Sequence, residues 1–285
     1  MNTVVVTGAT GMIGRNLLPL LSHQFETWGI CRHQSQAPNV RVIEHDLTQD
    51  HLPSSLPDRV DSVIHLAQSA HFREFPEQAN DIFKVNVAST QSLLDWARRR
   101  KAKRFIYASS GGIYGHGAQA FREDDVSGTK TELGYYLASK NCGELLVENY
   151  ASCFTVVILR FFFVYGPGQR DSMLIPRLVR SVEEGRPIVL HGLEGIRINP
   201  IHVRDAVRCI DSALKLEASQ KINVAGSEIV TLKAIAEQIG ELVGKQPVFE
   251  QQNVSPRHLI GDTERMCRLL VRPAITLKEG LSELV

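Results

Sequence analysis

A tyrosine and a lysine four residues apart, Tyr136 and Lys140, have the types and spacing that most directly suggest chemistry. Residues at this spacing share one face of a helix, so the phenol and the ammonium would face the same ligand. The ammonium can lower the pKa of the phenol from its usual value of about 10. A phenol tuned in this way can act as an acid or a base toward a hydroxyl or carbonyl group.

A hydroxyl-rich turn after a β-rich run supplies a third candidate side chain. The run Arg104–Ser109 is followed by Ser110 and two glycines. Ligands of parallel α/β sheets bind at the carboxyl ends of the strands, where a serine can donate a hydrogen bond to a reacting oxygen. The alternative is that the serine caps a turn. Tyr136 and Lys140 are therefore candidate catalytic residues, and a serine of this turn is a third candidate.

A glycine loop near the amino terminus indicates a dinucleotide site. Its glycines follow the β-branched run Asn2–Thr7 and precede an amphipathic stretch. In this context the first glycine permits a tight turn, the second lets the backbone approach a pyrophosphate, and the third lets the helix pack against the strand. Free N–H groups at the start of the helix would bind the phosphates. The predicted cofactor contacts in this loop are Gly8, Thr10, Gly11, Met12, Ile13 and Gly14.

The residues after the second predicted strand favour a phosphorylated cofactor. An NAD site would place Asp or Glu there to accept from the ribose 2′-hydroxyl, whereas this chain has Arg32 and His33. A guanidinium would bind a 2′-phosphate, so we predict NADP(H), with NAD(H) as the alternative. Asp46 and Leu47 follow the third predicted strand, where the carboxylate either accepts from the adenine amino group or caps a helix.

Positioning these groups requires strands that alternate with helices, and the first half of the chain has this pattern. The predicted strands are Asn2–Thr7, Phe25–Cys31, Val40–Glu44, Ser62–Leu66, Arg104–Ser109 and Phe154–Phe163, and the predicted helices are Ile13–Leu21, Ala79–Lys101 and Tyr135–Tyr150. The alternation predicts an α/β fold with a doubly wound parallel sheet, a Rossmann fold, and a smaller, mixed α/β C-terminal lobe. We assign a dinucleotide-binding domain to residues 1–165, with a returning segment near 199–222, and a substrate-binding lobe to 166–285.

The composition is that of an ordinary globular protein. Among 285 residues, 32 are Lys or Arg and 31 are Asp or Glu, so the net charge of +1 gives no global attraction to nucleic acid or an anionic membrane. No apolar run reaches the roughly 18 residues that span a bilayer. The five cysteines lack disulfide or metal spacing and the amino terminus lacks a signal-peptide pattern, so we expect a cytoplasmic protein with no metal site.

Two conspicuous features have structural interpretations. Six of the seven residues in Arg98–Arg104 are basic. We interpret them as the cationic end of a long helix rather than as a nucleic-acid patch, since no aromatic residues are interleaved. His65 lies at a predicted strand end, where we expect a histidine with satisfied hydrogen bonds rather than a catalyst.

Taken in order, these motifs resemble those of extended short-chain dehydrogenases/reductases of the NAD-dependent epimerase/dehydratase family. The matching pieces, which extend over essentially the whole chain, are Thr7–Gly14, Asp46-Leu47, His65-Leu66-Ala67, Asn86, Ser109-Ser110, Tyr114-Gly115, Tyr136 with Lys140, and Val164–Gly168. The resemblance implies a nicotinamide cofactor in the N-terminal domain and a nucleotide-activated sugar in the C-terminal lobe. It implies that Tyr136 is the acid or base, that Lys140 is its partner and a ribose ligand, and that Ser110 orients the reacting oxygen.

Contacts outside the glycine loop are predicted partly from the resemblance and partly from residue type; Arg73 and Arg257 are included as candidate anion ligands, with solvated surface arginines as the alternative. The predicted cofactor contacts there are Arg32, His33, Asp46, Leu47, Leu66, Ala67, Gln68, Asn86, Ala108, Tyr136, Lys140, Phe163 and Val164. The predicted substrate contacts are Gln68, Arg73, Ser110, Gly111, Phe163, Arg197 and Arg257. In the family, the asparagine that Asn86 matches steadies the fold near the site.

Three departures from the family pattern bear on the reaction. Sugar dehydratases carry Asp-Glu or Ser-Glu directly after the catalytic hydroxyl residue, whereas this chain has Gly111 and Gly112, so a dehydratase is not expected. Phe163 stands where many nucleotide-sugar enzymes have an asparagine that helps to hold the substrate. Gln68 replaces the commoner alanine and could offer an amide to a polar substrate.

These observations predict an NAD(P)-dependent oxidoreductase that transfers hydride at a carbinol or ketone carbon of a nucleotide-activated sugar. Because Arg32 favours NADPH, a 4-keto-sugar reductase is favoured over an NAD-dependent 4-epimerase. Two further hypotheses are a reductase of a non-sugar ketone, which Phe163 would suit, and a non-catalytic NAD(P)-sensing protein, which the retained catalytic residues argue against. Family members often dimerise through two helices, so we predict a homodimer through Ala79–Lys101 and Tyr135–Tyr150.

Overall fold

In the computed structural model of the chain, the described residues are 2–33, 35–49, 51–127 and 130–285. The strands are β1 Thr3–Thr7, β2 Glu26–Cys31, β3 Val40–Glu44, β4 Ser62–His65, β5 Arg104–Ser110, β6 Thr155–Phe161, β7 Val164–Tyr165, β8 Ile188–His191, β9 Arg197–Ile198, β10 Ile201–His202, β11 Gln220–Val224, β12 Val230–Thr231 and β13 Phe249–Gln252. The helices are α1 Met12–Ser22, α2 Ala79–Phe83, α3 Ser89–Arg99, α4 Lys130–Asn149, α5 Leu174–Glu183, α6 Val203–Ala213, α7 Leu232–Val243, α8 Glu264–Leu269 and α9 Leu277–Ser282.

The main sheet has seven parallel strands in the order β11-β6-β5-β4-β1-β2-β3. From β1 the chain proceeds outward through β2 and β3, and it then crosses back to build β4, β5 and β6 on the other side. This reversal opens a crevice at the carboxyl ends of β1 and β4, where doubly wound folds bind their ligands. The predicted fold class is thereby confirmed.

Alternating side chains of the strands bury both faces of the sheet. On β1, Val4 and Val6 pack with residues of α1 and α6 in one core, whereas Val5 packs with residues of α3 in the other. Successive side chains of a strand point to opposite faces, so a continuous apolar run is what a sheet covered on both sides requires. The two cores hold the strand ends in fixed positions relative to the helices.

The C-terminal part of the chain contributes to both the sheet and a separate lobe. α6 packs on α1, and β11 extends the main sheet beside β6. The lobe has its own core, in which α5 and α7 pack together beside the short parallel pair of β8 and β13. Within the described residues, no helix is long and apolar enough to cross a membrane.

Two predicted elements differ from those observed. The single predicted helix Ala79–Lys101 is interrupted, because residues Lys84–Ala88 form a π-helical turn between α2 and α3. The predicted strand Phe154–Phe163 ends at Phe161, since the backbone of Phe163 has a left-handed φ of 43° that no strand tolerates.

The basic cluster belongs to ion pairs around the end of α3. Arg98 and Arg99 pair with Asp95, Arg100 pairs with Asp58, and Lys103 pairs with Asp61. This arrangement agrees with the structural interpretation of the cluster.

Candidate active site

The glycine loop between β1 and α1 has the geometry of a phosphate cradle. Gly8 has a φ of +68°, which side chains rarely adopt. A Cβ on Gly14 would lie 2.3 Å from the carbonyl oxygen of Gly8, so only glycine allows this close packing of helix and strand. Gly11 is the N-cap of α1 and provides no side-chain cap, which leaves the first N–H groups of the helix for an anion. The predicted loop residues therefore fit a dinucleotide pyrophosphate.

The far end of this candidate cofactor site combines charges of both signs. Arg32 and His33 are exposed after β2, and Asp46 lies half-buried after β3. Oδ1 of Asp46 accepts a hydrogen bond from the N–H of Thr48 at 2.9 Å, which is the capping role that the sequence leaves open. That bond, assisted by the charge of Arg32, lowers the pKa of Asp46, so the carboxylate is ionised beside the arginine. The charge of the Arg32 guanidinium is therefore partly balanced by the Asp46 carboxylate.

His65, at the end of β4, is a buried structural residue. Its Nδ1 lies 2.6 Å from Oγ1 of Thr7 and its Nε2 lies 3.0 Å from Oγ1 of Thr90. Burial lowers the pKa of His65 to about 3, so the ring is neutral. Oγ1 of Thr7 also accepts from the N–H of Ala67 at 3.2 Å, which fixes the strand end next to Gly8. The predicted non-catalytic role of His65 agrees with these contacts.

Tyr136 lies near the start of the helical part of α4 that follows a break at Gly134, where φ is +68° and ψ is 168°. Its phenol donates a hydrogen bond to Oε1 of Gln68 at 2.8 Å. Burial raises the pKa of the Tyr136 phenol above its ordinary value. The lowering of this pKa by Lys140 that the sequence predicts is not found in the chain alone, because no positive charge among the described residues offsets the burial of the phenol.

Lys140 is fully buried beneath Tyr136, one helical turn further along α4. Its Nζ donates to the carbonyl oxygen of Ala108 at 2.9 Å and lies 5.2 Å from the ring centre of Tyr107. Burial lowers the pKa of Lys140 to about 8, although the carboxylate of Glu144 opposes this shift. The ammonium is therefore charged at neutral pH and keeps further N–H donors for a ligand.

Asn86 ties the loop of Gln68 to the helix of Tyr136. Its Oδ1 accepts from the N–H of Ser69 at 2.9 Å, and its Nδ2 donates to Oγ of Ser139 at 2.9 Å. Asn86 is 1% exposed and sits in the π-helical turn, so its amide atoms are used within the protein. The sequence predicts Asn86 among the cofactor contacts, but the structure shows it holding the site together from below, as the family resemblance also implies.

Ser110 ends β5 and caps the 3-10 turn Gly111–Tyr114, where its Oγ accepts from the N–H of Gly112 at 3.2 Å. The hydroxyl hydrogen of this half-buried residue is left to donate to a ligand, so the capping and catalytic roles are compatible. A Cβ on Gly111 would lie 2.4 Å from ring carbons of Phe162. The chain therefore leaves no space at this position for the acidic residue of a sugar dehydratase.

A buried polar network supports this turn from below. Arg160 pairs with Glu144 at 2.7 Å, and its guanidinium also donates to the hydroxyl of Tyr114 at 2.6 Å. The Tyr114 hydroxyl donates in turn to Oδ1 of Asn223 at 2.8 Å. Its ring stacks on Phe121, with centroids 5.0 Å apart. These contacts join β6, α4 and β11 under the serine.

Two aromatic residues of the loop after β4 pack on the tyrosines of α4, and the sequence contains no signal for them. The Phe72 ring centre lies 5.0 Å from that of Tyr136, and the Phe75 ring stacks on Tyr135 at 4.7 Å. Neither phenylalanine belongs to a periodic pattern, so only the folded contacts reveal their place. Phe72 therefore gives the Tyr136 ring an apolar neighbour, and Phe75 does the same for Tyr135.

The three arginines that are predicted to contact the substrate lie in two places. Arg73 of the same loop donates to the carbonyl oxygen of Ser172 at 3.1 Å and so reaches the C-terminal lobe. Arg197 and Arg257 are both exposed. Their segments meet, because the N–H of Arg197 donates to Nδ1 of His258 at 3.0 Å. The structure therefore brings Arg197 and Arg257 into one region, while Arg73 bridges loop and lobe.

The remaining predicted contacts line the strand ends. Leu47 is buried, and Leu66 is half-buried against the core that contains α1. Ala108 supplies the carbonyl that Lys140 binds. Val164 lies in β7 directly after Phe163, whose ring packs between the lobe core and the aromatic cluster of Tyr114. Among the described residues, no group of His, Cys, Asp and Glu is arranged to hold a metal ion.

Comparisons with known proteins agree with this geometry. The model of the NAD dependent epimerase/dehydratase family matches residues 4–225. A dTDP-D-glucose 4,6-dehydratase from Homo sapiens is 24% identical, with 99% of this chain and 88% of that protein aligned. A UDP-glucuronate 4-epimerase from Thermodesulfobacterium geofontis is 29% identical, with 79% of this chain and 72% of that protein aligned.

Solved structures resemble the whole chain. A mutant UDP-glucuronic acid 4-epimerase from Bacillus cereus, in complex with UDP-4-deoxy-4-fluoro-glucuronic acid and NAD, has a TM-score of 0.86 and 25% identity, covering 98% of this chain and 96% of that chain. MoeE5 in complex with UDP-glucose and NAD has a TM-score of 0.84 and 27% identity, covering 99% of this chain and 97% of that chain.

Proposed function

The chain belongs to the NAD-dependent epimerase/dehydratase family and is an enzyme of the extended short-chain dehydrogenase/reductase type, and we propose that it is an NAD-dependent 4-epimerase of a nucleotide-activated sugar. The observation that carries this choice is the pair of glycines after Ser110, in a site that keeps Tyr136 and Lys140. Elimination of water needs an extra acid and an extra base. The packing of Phe162 against Gly111 leaves no space for an acidic side chain at the first of the two glycine positions. Epimerisation at C4 needs only the acid/base tyrosine and its partners.

The proposed cofactor is NAD(H), which replaces our sequence-based preference for NADP(H). The similar epimerase and MoeE5 were both solved with NAD. The ionised carboxylate of Asp46 lies within electrostatic range of Arg32, and it would repel a 2′-phosphate placed beside the guanidinium. The sequence favours a 4-keto-sugar reductase only because Arg32 favours NADPH. Since Asp46 weakens that preference for NADPH, we propose the NAD-dependent epimerase instead.

The side chains divide the work as follows. A bound nicotinamide would supply the hydride acceptor and donor. Tyr136 takes the proton of the sugar 4-hydroxyl as the C4 hydrogen leaves as hydride, and it returns the proton once hydride has come back to the opposite face. Ser110 donates a hydrogen bond to the C4 oxygen, and Lys140 binds ribose hydroxyls with its remaining donors.

In this proposal the cofactor lies on residues 1–165 and the nucleotide part of the substrate lies toward residues 166–285. The exposed arginines Arg197 and Arg257 would bind its phosphates, since guanidinium groups match phosphate oxygens in pairs. The homodimer and the cytoplasmic location stay predictions from the sequence.

The test is conversion of UDP-glucose or UDP-glucuronic acid with added NAD⁺ and no NADPH, followed by proton NMR of the sugar. We expect the C4 epimer to form. In deuterated water the product should keep its C4 hydrogen, because the hydride returns to the carbon that it left. Tyr136→Phe should lower the rate at least about a hundredfold, which is the usual contribution of a general acid/base group.

Tyr135→Phe is the matched control, because it removes a neighbouring phenol from the same helix. It should leave the rate and NAD binding close to those of the wild type. Consumption of NADPH with a 4-keto-sugar, without epimerisation, would replace the proposal by the reductase. If Tyr136→Phe turned over the substrate as fast as the wild type, the acid/base role of Tyr136 would be contradicted.

A further inference from the structure

Among the described residues, Gln68 is the only one that accepts a hydrogen bond from the Tyr136 phenol. The phenolic O–H donates to Oε1 of Gln68 over 2.8 Å. From the sequence, Gln68 is predicted to contact the cofactor or the substrate, whereas in the fold its side chain contacts the Tyr136 phenol.

The backbone on both sides of Gln68 is firmly held. Ala67 donates its N–H to Thr7, and Ser69 donates its N–H to the buried amide of Asn86. Oγ of Ser69 also bonds to the carboxylate of Asp81 and accepts from the N–H of the residue two positions further on. The Gln68 side chain itself is exposed, so it can rotate about a fixed base.

The partner helix is held by the same buried residue. Nδ2 of Asn86 donates to Oγ of Ser139, and Oγ of Ser139 donates to the carbonyl oxygen of Tyr136 at 2.6 Å. One asparagine therefore sets the position of the glutamine loop and of the tyrosine helix. Buried hydrogen bonds therefore fix the relative position of the two backbone segments that carry the carboxamide and the phenol.

A carboxamide suits a phenol that alternates between two protonation states. It carries an acceptor, Oε1, and a donor, Nε2–H, which exchange places when the group turns by half a rotation. The neutral phenol needs an acceptor for its hydrogen, whereas the phenolate needs a donor. Alanine, the commoner residue here in the family, offers neither.

We propose that Gln68 is a positioning residue for Tyr136. The Gln68 carboxamide accepts a hydrogen bond from the neutral phenol, and it turns to donate one to the phenolate when the proton leaves. The proposal deepens the proposed function, since it rests on Tyr136 acting as the acid and base of that reaction. Gln68 stays in contact with Tyr136 in both states. The bond to the charged state is the stronger one, so Gln68 favours ionisation on balance.

The experiment measures the ionisation of Tyr136 directly, in protein labelled with carbon-13 at the tyrosine ζ-carbon and saturated with NAD⁺. The chemical shift of this carbon follows phenol ionisation, and Tyr136→Phe identifies the resonance among the six tyrosines. Gln68→Met keeps the length of the side chain but removes its hydrogen bonds. We expect it to lower the ionisation constant of Tyr136 roughly fivefold, the difference between a charged and a neutral hydrogen bond.

Gln68→Glu and a matched control test the direction of the effect. A carboxylate at this position would accept from the phenol but repel the phenolate, so Gln68→Glu should lower the ionisation constant more than Gln68→Met does. Gln91→Glu adds the same charge at another glutamine–tyrosine pair, where Nε2 of Gln91 donates to the Tyr150 hydroxyl at 3.0 Å. It should leave the Tyr136 resonance unchanged. The pH profile of turnover should shift with the ionisation constant in each variant.

The outcomes separate this proposal from the function on which it rests. If Tyr136 of the wild type ionises with NAD⁺ bound, but Gln68→Met leaves its ionisation constant within twofold or increases it, the role of Gln68 is overturned and the epimerase stands. If Tyr136 does not ionise at any pH at which the holoprotein stays folded, the acid/base role and the proposal fail together. Unchanged circular dichroism and an unchanged melting temperature in the variants exclude misfolding as the cause.

Discussion

At the scale of single residues, Phe163 occupies a backbone conformation that suits an asparagine better than a phenylalanine. Its φ of 43° lies in the left-handed region, where asparagine is tolerated and a bulky ring is strained. The ring packs between two hydrophobic clusters, so this chain combines backbone strain with apolar contact at the junction of sheet and lobe.

Phe163→Asn should tighten the binding of a nucleotide sugar. The family resemblance implies that an amide at this position helps to hold the substrate, so it would add a hydrogen bond to a charged group, for which we expect about a tenfold lower dissociation constant. Release of backbone strain offsets part of the lost packing. Calorimetric titration of the NAD-loaded protein with UDP-glucose measures the effect. Phe163→Leu, which keeps the strain and has no amide, is the control, and equal affinity of the two variants would refute the argument.

His65 should make the fold sensitive to acid. The unfolded histidine takes up a proton near its ordinary pKa of about 6.5, whereas burial holds the pKa of the folded residue to about 3. The unfolded state therefore binds more protons between these values, so the stability contributed by His65 is present above pH 6.5 and is lost as the pH falls. Between pH 7 and pH 5 this loss should reach about 2 kcal/mol in the free energy of unfolding.

Denaturant unfolding of the wild type and His65→Gln at both pH values measures this loss. Glutamine keeps hydrogen-bonding groups for Thr7 and Thr90 but takes up no proton. We expect the variant to be less stable at pH 7 and to lose less stability on acidification. His23→Gln, at an exposed position after α1, should follow the wild type. An equal acid response of His65→Gln and the wild type would show that His65 carries no such linkage.

At the scale of elements, the periodic parts of the chain could be predicted and the contacts between loops could not. The apolar run of β1 and the glycines after it predict a strand, a turn and a helix because local geometry demands those residues. The π-helical turn at Lys84–Ala88 escapes this reasoning, since its composition is that of an ordinary helix. The bond from Tyr136 to Gln68 escapes it as well, because it joins a loop to a helix 68 residues away.

The turn after β5 should tolerate a methyl group at one glycine better than at the next. A Cβ on Gly111 meets ring carbons of the buried Phe162 at 2.4 Å, whereas a Cβ on Gly112 meets the flexible end of Leu137 at 2.9 Å. Gly111→Ala should lower the free energy of unfolding by about 2 kcal/mol through overpacking, and Gly112→Ala by less than about 1 kcal/mol.

Chemical denaturation of the two alanine variants tests this difference. Phe162→Leu makes room for the methyl group, so its combination with Gly111→Ala should cost less than the sum of the two single changes. Equal costs for Gly111→Ala and Gly112→Ala, or a strictly additive double variant, would contradict the packing argument.

At the scale of the whole molecule, the predicted homodimer has exposed apolar residues on its two helices. Leu145 of α4 is 55% exposed and Phe83 at the end of α2 is 49% exposed. Both residues lie on the helices that are expected at the dimer interface. Their exposure in a single chain is what we expect of side chains that a second copy buries. The site of one subunit would then be supported by the helix pair that holds the partner.

Leu145→Glu should therefore convert a dimer into a monomer, because it would bury an unpaired carboxylate at the interface. Sedimentation velocity at micromolar concentration measures the change. Leu193→Glu, at an equally apolar and more exposed position in the C-terminal lobe, should remain dimeric. A wild-type protein that sediments as a monomer would refute the dimer itself.

The π-helical turn adds length to this helical segment without changing which face of α3 packs on the sheet. Because each residue of an α-helix advances it by about 100° of rotation, the wider π turn at Lys84–Ala88 accommodates roughly one extra residue without turning α3 away from the sheet. A relative with an uninterrupted helix would match this chain only if a one-residue gap were opened inside that helix. In such a relative, the residues before and after the turn would keep their places against the sheet, while one residue of the turn would have no counterpart.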